Sequence, residues 1–230
     1  MPPKKKKYSK RPPCPDPELY QWIDTKEGGH WRRKRSKHAI LNRSLSANVS
    51  ATETVSPAAK RIRIMLEQFT RNLATGRIQG RLSGLLSKTY KEKLLIDFSG
   101  LKGFEFQKDH PLEDLLLTQF QVNKSGRSIA LQVPVKKDCI KKHNRLVTDF
   151  YFEGILLYGN VMAKGVLNTG YAVSKPYSFV NTPMDECKLI LPLPLKNEPW
   201  MLILKVSCLE GNEMAAHFKH YGMRVVEVSK

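Results

Sequence analysis

Two sets of residues in this chain have types and spacings that could carry chemistry. The first is basic. "MPPKKKKYSKRPP" places Lys4, Lys5, Lys6, Lys7, Lys10 and Arg11 among prolines, and "HWRRKRSKH" adds Arg32, Arg33, Lys34, Arg35 and Lys37 beside Trp22 and Trp31. Lysines and arginines neutralise phosphates, and nearby aromatics can stack on bases, so runs of this kind suit a nucleic-acid backbone. The two tryptophans read first as packing for a small core. A further group, Arg77, Arg81, Lys88 and Lys91, falls at offsets of 4, 11 and 14, on one side of a helix. A solvated face accounts for such a group on its own. The runs before it are different, because their imbalance all has one sign.

The second set lies in "EGNEMAAHFKHYG". On a helical turn, Glu213, His217 and His220 would share a face at offsets of 4 and 7, with donor types suited to zinc. The segment is not H-E-x-x-H, however, and Lys219 stands among the candidates. It reads as a loop or helical turn between the last two strands, with no metal and no cofactor expected. The carboxylate pairs Glu113–Asp114 and Asp185–Glu186 fall at strand edges or turns. There is no G-x-S-x-G, Walker or Rossmann glycine pattern, so the reading is non-enzymatic.

The charge map supports a division of labour. Of the formal +18, residues 1–50 carry +9 and residues 51–100 carry +5, while residues 151–200 are balanced. A basic front meets something anionic; a near-neutral back folds or assembles. No stretch has the apolar length of a membrane span, and no apolar segment follows the basic start as a signal peptide requires. Cys14, Cys139, Cys187 and Cys208 are widely spaced and form no C-x-x-C. They read as reduced thiols of a cytoplasmic protein, with a Cys187–Cys208 bridge as a weaker alternative.

These residues must be positioned by four segments. Residues 1–17 hold six prolines and form a basic extended arm. Residues 18–56 give a small β-hairpin with one aromatic face, turning at "EGG", and then a Ser/Thr/Asn/Ala linker. Residues 57–98 form a helical hairpin. Ser56 and Pro57 suit its start. Ile62, Met65, Leu66, Phe69 and Leu73 form one stripe, and Ile78, Leu82, Leu85, Leu86 and Tyr90 the other. Residues 99–230 change period. "LLLTQFQVN", "SIALQVPV", "LVTDFYFEGILLYG", "CKLILPLPL", "WMLILKVSCL" and "GMRVVEVS" read as strands. Six or seven strands without a long helix between them predict an antiparallel β-sandwich, Ig-like or jelly-roll-like. Pro192 and Pro194 put their strand at an edge or end it early.

"AAKRIRIMLEQF", "GRIQGRLSGLLSK" and "LKGFEFQ" resemble a family of uncharacterised bacterial proteins. There a short N-terminal hairpin, a helical segment with a GR-x-x-x-RL element and a GFEF-like stretch precede an all-β half. The resemblance spans residues 20–106 and implies the architecture; it brings no activity and no site residues. The expectation is therefore a mainly β, non-enzymatic structural or nucleic-acid-associated protein. Its basic front third holds RNA or DNA through phosphates without sequence preference, and its sandwich is the scaffold. The alternative is an assembly subunit or adaptor whose arm docks on an acidic protein surface or on a neighbouring copy of the chain.

Overall fold

The computed structural model describes residues 12–25, 28–34, 43–93, 95–162, 165–195 and 198–229. The chain divides into two compact units, Met1–Ser46 and Ala47–Lys230. In the first, β1 (Tyr20–Thr25) and β2 (Gly28–Arg33) form the expected antiparallel hairpin. Trp22 lies directly opposite Trp31, with ring centroids 5.2 Å apart in an edge-to-face arrangement, worth about 0.5–1.5 kcal/mol beyond burial. The glycines of the turn are required. A Cβ at Gly29 would fall 2.1 Å from the Trp22 ring, and Gly28 has φ +133°, which L side chains rarely adopt. Trp31 Nε1 donates to the Pro12 carbonyl at 3.0 Å and Lys34 Nζ to the Pro17 carbonyl at 2.7 Å, tying the preceding prolines to the hairpin.

The helices are α1 (Arg43–Met65), which belongs to the second unit from Ala47 onward, and, within that unit, α2 (Glu67–Thr70), α3 (Ile78–Lys93) and the single-turn α4 (Leu112–Leu115). Both predicted apolar stripes face the core: Ile62, Leu66, Phe69 and Leu73 are buried, as are Ile78, Leu82 and Leu86. The start of α1 corrects the sequence reading. The helix begins at Arg43 rather than at Pro57, and Pro57 lies inside it. Residues 43–56 are helix, not linker. Ala51 and Val55 are buried at the same helical spacing as Ala58, Ala59, Ile62 and Leu66. That buried stripe offsets the missing amide of Pro57, a cost of about 3 kcal/mol in a helix interior.

Nine strands follow among the described residues: β3 (Gln121–Ser125), β4 (Ser128–Val135), β5 (Asp149–Gly159), β6 (Leu167–Val173), β7 (Tyr177–Ser178), β8 (Asp185–Pro192), β9 (Trp200–Glu210), β10 (Glu213–Met214) and β11 (Tyr221–Val228). All pairings are antiparallel. One sheet runs β10-β9-β5-β6, with β11 also on β9 and β7 on β5; the other runs β3-β4-β8. The "LLL" of the first predicted strand belongs to α4 and the turn after it, where Leu112, Leu115 and Leu116 are buried. As expected from Pro192, β8 is an edge strand that ends there. Pro134 in β4 is tolerated because β3 pairs only as far as Gln132.

Side chains alternate across each strand, so Gly154 of β5 and Gly170 of β6 face one way. Leu189 and Leu191 of β8 lie against Gly154, and Leu191 against Gly170. On the opposite side of the large sheet, Tyr171 meets Phe69 of α2 with ring centroids 5.4 Å apart. Helices and the small sheet thus cover opposite faces of the β9-β5-β6 strands, and all three contribute to one core. Cys139, Cys187 and Cys208 are buried free thiols.

Val55→Ala should cost about 1.5 kcal/mol, counting two methyl groups at about 0.8 kcal/mol each. Val49→Ala, on an exposed position of the same helix, should stay within about 0.5 kcal/mol of the parent. Urea denaturation measures both. Two neutral substitutions would mean that the helix gains nothing upstream of Pro57.

Candidate functional site

The predicted phosphate-binding residues separate into three groups. Lys4, Lys5, Lys6, Lys7, Lys10, Arg11, Arg35 and Lys37 lie outside the described residues. Arg32 and Arg33 are exposed on β2 and, as neighbours on a strand, point to opposite faces of the hairpin. Neither makes an ion pair among the described residues, whereas the ammonium of Lys34 is held on the Pro17 carbonyl. Arg77 is exposed just before α3 with φ +54°.

Arg81 has an internal role that its spacing did not reveal. Its guanidinium donates to the carbonyls of Glu105 and Phe106, both at 2.7 Å, and lies 5.0 Å from the Phe104 ring centre. Desolvation pulls its pKa down, opposed by Asp109 and Glu105. Two of the three stretches that suggested a family resemblance, those containing "GRIQGRL" and "GFEF", therefore meet at this contact. The GFEF stretch is itself bound to the free edge of β11. Gly103 N–H donates to Val225 O at 2.8 Å, Val225 N–H to Phe104 O at 3.0 Å, and Phe106 N–H to Met223 O at 3.0 Å. Glu105 faces Arg224 at 3.4 Å and accepts from the Leu112 amide at 3.1 Å. Burial pushes its carboxyl up to about 7, against the pull of the Leu112 amide and Arg224.

Glu213, His217 and His220 are not on one helical face. Glu213 is in β10, and His217 and His220 flank and end a 3-10 turn, Phe218–His220. His217 Nδ1 accepts from the Lys219 amide at 3.1 Å, capping that turn. Among the described residues, no three His, Cys, Asp or Glu side chains are placed to hold a metal ion. His220 is buried, its Nδ1 has no hydrogen-bond partner among the described residues, and burial lowers its pKa.

Beside that turn is a cavity of about 160 Å³ lined by His110, Pro111, Asp114, Leu115, Lys141, His143, Lys219 and Tyr221. Three separate segments supply the polar groups. His110 precedes α4 and its ring packs 5.1 Å from Phe218. Lys141 and His143 come from "KKDCIKKHNR", residues 136–145, which holds five Lys and Arg against one Asp. Buried Cys139 and Ile140 pin its middle. Leu117 N–H donates to Cys139 O and Lys141 N–H to Leu115 O, both at 2.8 Å. The third segment brings Lys219. Burial lowers the His143 pKa, reinforced by Lys141, Lys219 and His110 and opposed by Asp114. The sequence reading missed this cavity. The lysine pairs on either side of "DCI" were the available signal, but their charge is small beside that of the front third.

No protein-family model, curated protein or solved structure matches the chain. The roles assigned to these residues therefore come from geometry and chemistry alone.

Arg81→Met should cost about 3 kcal/mol, for two hydrogen bonds from a cation to backbone carbonyls at about 1.5 kcal/mol each. Arg81→Lys should recover only part of that, because an ammonium cannot reproduce the planar fork. Arg77→Gln should stay within about 0.5 kcal/mol. Thermal and urea melts check all three. Glu105 gives a pH test. Its folded pKa, about 7, lies above its ordinary 4.5, so the folded state holds the proton longer and this group costs stability as pH rises through that interval. The stability of Glu105→Gln relative to the parent should therefore climb between those pH values and level off above them. A flat difference would show that Arg224 fully compensates the buried charge.

Proposed function

We propose that this chain is a non-enzymatic, cytoplasmic, nucleic-acid-associated protein whose basic front third grips RNA or DNA through phosphates without reading sequence. The observation that carries the reading is the hairpin surface. Arg32 and Arg33 stand exposed on both faces of a strand, without carboxylate partners among the described residues, within a fifty-residue stretch of net charge +9. The edge-to-face Trp22–Trp31 pair holds that strand in shape, and both arginines are exposed on it.

The second unit serves as scaffold in this reading. Leu189 and Leu191, seated against Gly154 and Gly170, support a β-sandwich of the Ig-like or jelly-roll-like kind, with α1 to α3 as a helical hairpin packed beside it. Arg81 is removed from the grip and assigned to the scaffold. Arg77 stays at the margin of the grip.

A salt titration of binding to short RNA and DNA, duplex and single-stranded, tests this. Each phosphate contact adds about 0.9 to the slope of log affinity against log salt on duplex DNA and about 0.7 on single strands. Arg32→Gln with Arg33→Gln should flatten the duplex slope by up to about 1.8, and alanine at Lys4 to Lys7 by up to about 3.6 more, with equal losses on unrelated sequences. Arg77→Gln should change it by less than one phosphate contact. Undetectable binding at low salt, or a slope untouched by these changes, sinks the reading. Binding to an acidic polypeptide alone would transfer the basic front to a protein partner.

A further inference from the structure

The cavity beside the 3-10 turn of the second unit plays no part in the proposed function, yet it has the composition of a ligand site. Four side chains able to carry positive charge, His110, Lys141, His143 and Lys219, converge on it from three segments. Asp114 is the one carboxylate in its lining. Neither lysine forms an ion pair with Asp114 or with any other carboxylate among the described residues. Two lysines and two histidines against one carboxylate leave the lining with a surplus of positive charge, which a bound anion offsets.

We propose that this cavity binds a small dianionic phosphate, either inorganic phosphate or the terminal group of a nucleoside monophosphate. Size limits the choice. At about 160 Å³ the space falls below the roughly 300–1,000 Å³ of pockets that enclose a drug-sized ligand or cofactor. It takes a head group and leaves the rest of a larger ligand in solvent. Charge and donor count narrow it further. With Asp114 offsetting one lysine, a dianion balances the other lysine together with one protonated imidazole, and its oxygens can accept from donors arriving on several sides. Lysine is an effective point-charge binder of phosphate. The imidazoles of His110 and His143 each supply an N–H, and when protonated a second N–H and a positive charge.

The positions of these donors are fixed by the fold. Buried Cys139 and Ile140 hold residues 136–145 against the segment after α4, through the Leu117 and Lys141 amides described above. The cap that His217 places on the Lys219 amide fixes the third segment. The charges that face His143 are Lys141, Lys219, His110 and Asp114; those that face His220 behind it are Glu210, His143 and His217. Burial, reinforced by Lys141, Lys219 and His110, lowers the His143 pKa. A bound dianion reverses that field and favours its protonated form.

The test is a histidine NMR titration of the full chain with inorganic phosphate at constant ionic strength. The His110 and His143 ring signals should shift with saturation, and the His143 titration should move to higher pH. Lys141→Gln with Lys219→Gln should weaken phosphate at least about tenfold while the melting curve stays that of the parent, since each lost charge-assisted contact is worth about a decade. Should that pair unfold the chain, Lys219→Gln alone reads the same loss. Adenosine monophosphate binding more tightly than phosphate assigns the site to a monoester; equal or weaker binding assigns it to the free ion. Ring shifts that chloride reproduces, shifts given by adenosine alone, or phosphate binding unchanged in the lysine variants would each overturn the proposal.

Discussion

The second unit depends on one strap, residues 103–107. Along one side it hydrogen-bonds β11 as a short extra strand; on the other, Arg81 of α3 grips its carbonyls. Gln107 ends it and is fully buried. Its side chain accepts from the Ala74 amide at 2.7 Å and donates to the carbonyls of Tyr221 and Phe218 at 2.8 and 3.1 Å. Every hydrogen-bonding position of that amide but one is then used, in a place where an unmade bond is costly. Through five residues the helices are joined to the edge of the large sheet and to the turn that carries Lys219.

A second polar constraint lies deeper. Lys205 of β9 and Glu153 of β5 face each other in register and pair at 2.7 Å, both about 5% exposed. Ser207 and Tyr171 donate to the same carboxylate at 2.8 and 2.9 Å. Pairs of this kind add little net stability over apolar residues, but loss of one partner is severe. Here the pair also limits register. A shift of β9 by one residue would turn Lys205 to the face that receives Leu189 and Leu191, among apolar side chains with no carboxylate.

The long, strongly periodic elements were legible in the sequence. The buried positions of α3, the strands β4, β5, β8, β9 and β11, and the Trp22–Trp31 hairpin all followed from periodicity and turn residues. What failed did so for physical reasons. Residues 43–56 look like a linker because Ser, Thr, Asn and Ala carry little hydropathy; they are helical, with Ala51 and Val55 buried and Val55 part of the core. β6 was overlooked because "LNTGYAV" shows a Gly and half-exposed side chains. Site residues were less legible still. A basic residue reads the same in a sequence whether it faces solvent, as Arg33 does, or clasps a carbonyl, as Arg81 does. The cavity gathers His110, Lys141, His143 and Lys219 across more than a hundred positions, a grouping set by tertiary contacts and by no local spacing.

The strap also orders events as the unit assembles. Its partners, Met223 and Val225, and the Gln107 contact to Tyr221 stand 114 or more residues further along the chain. Contacts of such separation carry a large loop-closure cost and form late. Until β11 is in place, Arg81 has no anchored carbonyls to grip, and Phe104 and Phe106 have no sheet edge to cover. A nascent chain that has already made α1 to α3 therefore holds an exposed aromatic flank while β3 to β9 are being added. That interval is when it is most prone to self-association and most suited to a chaperone.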